Sequence, residues 1–184
     1  TLHDQWPFCG AEHYFYLEKN YKLLDKRYFS NYSKASRLGF DYGKDINRLT
    51  WLRKKTNWSK KMHIVCPSKW MTECAKKSSL FRNYPIYTIP NPLDTSLWTP
   101  IDPIKAKKSL DIKSSKKIVL FGAINIINDV RKGASLLFDA LRIFRKISNA
   151  NLQKKVLLVA FGQDLKGLEL DTDFPIKFTG HIKD

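Results

Sequence analysis

The sequence predicts an α/β fold of the doubly wound kind, divided into two halves by a proline-rich connection. Three observations carry this. Five short apolar runs are continuous rather than alternating, and each stops at a proline or a glycine. Continuous β-branched and aromatic runs suit strands covered on both faces, as in parallel sheets. Helical patterns fall between the runs, and residues 90–115 hold four prolines and no strand pattern.

In chain order, the first predicted strand is "HIVCPS", with Ile64 to Cys66 stopped by Pro67. The second is "IYTIPN", Ile86 to Ile89, stopped by Pro90. The third, "KKIVLFGA", covers Ile118 to Phe121 and ends at Gly122. The fourth, "KKVLLVAFG", runs from Val156 to Phe161, and "IKFTG" forms a fifth ending at Gly180. Among the helices, "KDINRLTWLRKKTNWSKK" is amphipathic with a basic outer face. "SKWMTECAKKSSLF" starts on Ser68 as N-cap and turns Trp70, Met71, Cys74 and Ala75 inward. In "RKGASLLFDALRIFRKIS", Leu137, Ala140, Leu141, Phe144 and Ser148 follow one helix face. A short helix near Ile104 to Leu110 interrupts the proline-rich connection. The expected domains are residues 1–91 and 92–184.

Charge is the strongest compositional signal. Lys and Arg number 33 against 17 acids, a net charge of +16 in 184 residues. Such a balance attracts polyanions: nucleic acid, anionic lipid or phosphorylated substrates. The basic doublets Lys54-Lys55, Lys60-Lys61, Lys76-Lys77, Lys107-Lys108 and Lys116-Lys117 also suit solvated faces, so charge alone selects no partner. A hydrophobic share of 43% argues for a folded globular chain. No apolar run approaches the roughly 18 residues of a membrane-spanning helix. Cys9, Cys66 and Cys74 are odd in number and read as reduced thiols in a cytosolic protein.

The candidate chemistry lies in "VLFGAINIINDVRKGASLLFDAL". A buried strand ends at Gly122, a polar loop follows, and Arg131-Lys132-Gly133 opens a helix. Ligands of open α/β sheets bind beyond the carboxyl ends of the strands. A helix N-terminus offers unpaired N–H groups and the positive end of its dipole, which favours phosphate. Lys132 and Arg131 add full charges there, and Gly133 permits close approach. The alternative is a solvated basic first turn with a packing glycine. The pair His3-Asp4 reads by itself as a loop histidine beside a helix cap. Cys9 and His13 lie four apart with no second pair at zinc spacing, so no metal site is expected. Trp6, Phe8, Tyr14, Phe15 and Tyr16 read as core, or as an aromatic wall beside a sugar.

Taken in order, "TLHD", "IVCPSKWM", "IPNPLDTSLWTP", "FGAINIINDVRKGASLLFDAL" and "FTGHIKD" resemble landmarks of the family 4 (group 1) retaining glycosyltransferases. The likeness is to the colanic-acid and exopolysaccharide type, and it thins between Glu18 and Lys61. It implies a GT-B fold, two Rossmann-like domains facing across a cleft, with the acceptor side in residues 1–91 and the nucleotide-sugar side in 92–184. It further implies transfer of a hexosyl group from a nucleotide-sugar to a saccharide or a polyprenyl-diphosphate-linked acceptor of a cell-surface polysaccharide. The nucleotide-sugar is a substrate, and no metal or other cofactor is implied. By the same resemblance, His3 and Asp4 belong to the catalytic segment beside donor sugar and acceptor. Lys132, with Arg131, Gly133 and Gly122, would hold the donor diphosphate, while Gly180, His181 and Ile182 would meet the nucleotide base. Asn91 falls in a hinge motif with a structural role.

This chain departs from the pattern in two places. Ala123 follows Gly122 where the family usually has a diphosphate-holding arginine, and Pro92 replaces a hinge glycine. The family's Glu-x7-Glu motif would lie beyond Asp184 and its opening glycine-rich loop before Thr1. The expectation is therefore an internal fragment, inactive alone, of an enzyme on the cytoplasmic side. A peripheral contact with anionic membrane is placed at the helix from Arg53 to Lys61. The rival reading is a basic nucleic-acid-binding module, although no RNA- or DNA-binding signature is present.

Overall fold

The structure, a computed structural model, describes residues 1–14, 25–39, 42–58, 61–123, 129–162 and 174–182. It is mixed α/β with two short parallel sheets, and the chain divides into two units, Thr1–Trp98 and Thr99–Asp184. Of the sequence expectations, Phe15, Tyr16 and Lys60 lie outside the described residues.

The first unit is built on β1 (Ile64–Cys66) and β2 (Ile86–Thr88), paired in parallel with Ile64 opposite Ile86. Leu2 is buried and its N–H donates to the Val65 carbonyl at 2.7 Å, so the opening residues run along β1. Before β1 comes α1 (Ile46–Asn57), capped by the Asp45 carboxylate, which accepts the Arg48 N–H at 2.9 Å. Between the strands lies α2 (Lys69–Lys77), whose Ser68 hydroxyl accepts the Met71 N–H as its cap. Met71, Cys74 and Ala75 are buried as the spacing predicts, but Trp70 is 58% exposed. The correction is angular: Trp70 precedes Met71 by one helical step, roughly 100°, and so falls outside a stripe centred on Met71, Cys74 and Ala75.

The core of this unit is aromatic. Phe8 is fully buried and meets Tyr28 at 5.7 Å and Phe81 at 6.2 Å between ring centroids. Beside it an ion pair is buried: the Asp25 carboxylate accepts the Arg27 backbone N–H and Nε through Oδ1 and Nη2 through Oδ2. The guanidinium also lies 4.5 Å from the centre of the Tyr32 ring. Burial opposes the Arg27 charge, and the hydrogen bonds and charge of Asp25 more than restore it. Cys9, Cys66 and Cys74 are free and buried, and burial pushes each thiol up, which makes them inert.

The second unit begins with α3 (Pro103–Ser109), with Pro103 in its first turn and Asp102 accepting the Ile104 and Lys105 N–H groups. Its sheet is β3 (Lys117–Ala123), β4 (Val156–Gly162) and β5 (Ile176–Gly180), parallel and in that spatial order. Between β3 and β4 run α4 (Ala134–Ile147) and the short α5 (Ala150–Lys155). Leu137, Phe138, Leu141 and Phe144 of α4 pack on Val119, Phe121, Leu158 and Ile176 of the sheet. Ala140 is exposed, contrary to its expected inward position. The helix has a second apolar row on its outer side, and Ala140 belongs to it.

Candidate functional site

The predicted diphosphate and base residues all fall in the second unit, with Gly122 and Gly180 at the carboxyl ends of β3 and β5. Register places Gly122 of β3 opposite Phe161 of β4, and Phe161 opposite Gly180 of β5. Gly122 is required by close approach, because a Cβ there would come within 2.2 Å of the Phe161 ring. Gly180 has a φ of +69°, in the left-handed region that favours glycine, and turns the chain away from the sheet. His181 and Ile182 follow it, both exposed.

The start of α4 belongs to the same edge. A crossover between parallel strands returns its helix antiparallel to them, so the helix begins on their carboxyl side. Packing agrees: Phe144, near the end of α4, meets Phe174, just before the amino end of β5, at 5.8 Å. Gly133 is the N-cap of α4 with a φ of +76° and offers no side chain to the first-turn N–H groups. A turn of 3-10 helix, Val130–Lys132, precedes it and presents Lys132 to solvent. Arg131 is drawn elsewhere. Its Nε and Nη2 donate to the two Asp129 oxygens at 2.9 and 2.6 Å, and these bonds hold the Asp129 carboxyl below its usual range. The arrangement can therefore receive an anion on Lys132 and on the backbone of α4, with Arg131 committed to Asp129.

His3 and Asp4 stand in the first unit. Asp4 is not a partner of His3, which is exposed and has no side-chain hydrogen bond among the described residues. One Asp4 oxygen caps the following turn by accepting the Trp6 N–H at 3.0 Å. The other lies 2.6 Å from Nδ1 of His13, whose ring stacks on Trp6 at 6.5 Å. The Asp–His dyad of this segment is thus Asp4–His13. Sequence reasoning weighed His13 only as a zinc ligand, because nothing in local spacing joins positions nine apart across a loop.

The same loop is tied down by a buried lysine, from a doublet whose sequence suits a solvated face equally well. Lys54 of α1 donates to the carbonyls of Trp6, Cys9 and Gly10, the last two at 3.2 and 2.6 Å, and its ammonium lies 3.7 Å from the Trp6 ring centre. Burial lowers its pKa to about 8 against a usual 10.5, with Cys9, Glu12 and Asp4 pulling the other way. Asn47, two turns earlier on the same face, accepts the Ala11 N–H through its side-chain oxygen. The available signal was the inward row Asn47, Trp51 and Lys54, at helical spacing. Beside this loop is a cleft of about 420 Å³ lined by Trp6, Thr50, Arg53, Lys54, Asn57 and Trp58.

Among the described residues no cluster of three or more His, Cys, Asp or Glu side chains is placed to hold a metal ion. Among them, too, no helix is long and apolar enough to cross a membrane. Comparison with protein-family models, with curated proteins and with solved structures finds no match to this chain.

Proposed function

We propose that the second unit binds the diphosphate of a nucleotide-sugar, and that the chain is part of a retaining glycosyltransferase. The two units are then portions of the two Rossmann-like domains of a GT-B enzyme. One arrangement supports this reading most: Lys132 and the uncapped N-terminus of α4 stand on the carboxyl side of β3–β5, the side on which Gly122 and Gly180 lie. Together they supply a full positive charge, unpaired N–H groups and backbone free of side chains, the combination a diphosphate requires.

In the transfer, the bond between the sugar's anomeric carbon and the diphosphate oxygen breaks, the acceptor hydroxyl oxygen takes its place, and the hydroxyl proton passes to the departing diphosphate. Negative charge grows on the departing diphosphate, so a fixed cation beside it stabilises the transition state more than the ground state. Lys132 is the residue for that role. Gly180 to Ile182 would meet the base with backbone atoms, as the resemblance implies.

Titration calorimetry with uridine and guanosine diphosphates tests the reading. Saturable binding that falls about tenfold or more in Lys132→Ala and recovers partly in Lys132→Arg is expected. Absence of saturable binding to either nucleotide, or equal affinity in Lys132→Ala, overturns it. Tight association with single-stranded RNA that collapses steeply with salt would instead support the nucleic-acid reading.

A further inference from the structure

We propose that the outer face of α4, with α5, is a docking surface for an anionic lipid bilayer. A helix covering a sheet ordinarily buries one apolar stripe and presents polar residues outward. This helix does not. Leu136, Ile143 and Ile147 are 50%, 59% and 78% exposed, and with Ala140 they stand at i, i+7, i+11 and i+4. They form one continuous row along three turns, on the side away from the buried Leu141. Leu152 of α5 adds a further apolar side chain, 41% exposed.

The charges beside this row identify the occupant. Lys146, Lys154 and Lys155 are exposed where α4 ends and α5 follows. Gln153 ties the two helices together, its amide donating to the Arg145 and Ser148 carbonyls at 2.8 Å each. Residues 140–162 contain no Asp or Glu. A second copy of the chain would bring these lysines against their own counterparts in a molecule of net charge +16, so self-association through this face is electrostatically opposed. An uncharged apolar partner would leave the lysines unused. An anionic leaflet satisfies both features, because isoleucines enter the acyl boundary while lysines meet the phosphates.

The region near Arg53 is a poorer candidate. Of its described residues, Arg53, Lys55, Thr56 and Asn57 are exposed and all polar, while Lys54 is buried. Its exposed large apolar side chains are Ile46 and Leu49 of α1, 52% and 53% exposed, two turns and one turn before Arg53, against four on α4 and α5.

The test is flotation of the intact chain with phosphatidylcholine vesicles, with and without phosphatidylglycerol. Binding is expected only with phosphatidylglycerol. At about fivefold per lysine, Lys146→Glu with Lys154→Glu and Lys155→Glu should weaken it roughly a hundredfold or more. Ile143→Ser with Ile147→Ser should weaken it at least about tenfold. Circular dichroism confirms that each variant folds, and Arg53→Glu with Lys55→Glu serves as the control expected to bind nearly as wild type. Three results overturn the proposal: no binding to anionic vesicles, binding unchanged by the isoleucine substitutions, or the greater loss in the Arg53 control. A concentration-dependent dimer abolished by Ile143→Ser with Ile147→Ser also overturns it, by assigning the face to a second copy.

Discussion

Gly122→Ala is the sharpest test of how the sheet edge is built. The added Cβ would lie 2.2 to 2.4 Å from three carbons of the Phe161 ring, where ordinary contacts begin near 3.4 Å. The ring must retreat by more than an ångström or the strands must part, and overpacking of this kind costs about 1–3 kcal/mol. For a loss of about 2 kcal/mol and a urea slope near 1.5 kcal/mol/M, the midpoint falls by roughly 1.3 M. The assay exploits an uneven distribution of chromophores: all five tryptophans, at positions 6, 51, 58, 70 and 98, lie in the first unit. Tryptophan fluorescence therefore follows the first unit, whereas far-ultraviolet circular dichroism also records the second. The dichroism transition should shift with the fluorescence transition unmoved, and adding Phe161→Leu should recover most of the loss. An unshifted dichroism transition would refute the Gly122–Phe161 register, and with it the shape of the candidate site.

Two further perturbations address the first unit. Asp25→Ala leaves the Arg27 guanidinium buried and removes three hydrogen bonds, so the fluorescence-detected stability should fall by about 3–5 kcal/mol. Asp25→Ala with Arg27→Met should cost distinctly less than Asp25→Ala alone, and a double variant that is worse would contradict the pairing. The depressed Lys54 pKa means that between about 8 and 10.5 the unfolded chain holds more protons than the folded one. The lysine's contribution to stability therefore rises with pH through that window, by up to about 3 kcal/mol. The wild type should gain on Lys54→Met across the window in urea titrations at successive pH values, and a constant gap between the two would remove the assignment.

The strands were legible because each is a continuous apolar run bounded by a proline or glycine. Pro67 follows β1 and Gly180 ends β5, whereas β3 pairs one residue past Gly122 to Ala123 and leaves Leu120 65% exposed, not covered on both faces. The cap on Ser68 was legible for an equally local reason, since a hydroxyl three residues before an amide can satisfy it. What failed were inferences about direction and distance. Trp70 and Ala140 are apolar neighbours in sequence of buried helix residues, and the packing partner, not apolar character, decides which face of the helix is covered. Lys54 suited a solvated face by its sequence, and Asn47 gave no signal, because their partners are backbone carbonyls and an amide of a loop more than thirty residues away. Asp4 and His13 meet across that same loop. Local chemistry sees caps and strand ends, but it cannot see which loop folds back onto which helix.

That limit bears on the arginine that the glycosyltransferase resemblance expects after Gly122. Ala123 stands in its place, and Arg131, the next arginine in the sequence, is the candidate to compensate. The structure commits Arg131 to Asp129, so the two groups present a nearly neutral unit beside Lys132. Asp129→Asn should change this without unmaking the turn. The Arg131 backbone N–H is accepted by Asp129 Oδ1 at 3.1 Å, and an amide oxygen can accept it equally. The substitution removes one negative charge near the site and loosens the guanidinium, and each change favours an incoming diphosphate. If Arg131 can reach the anion, nucleoside-diphosphate affinity should rise about tenfold, and Arg131→Ala should abolish the gain in the Asp129→Asn background. Calorimetry on the single and double variants separates the causes. A gain that survives Arg131→Ala comes from removal of the carboxylate alone, which would refute the compensation and leave Lys132 as the site's working cation.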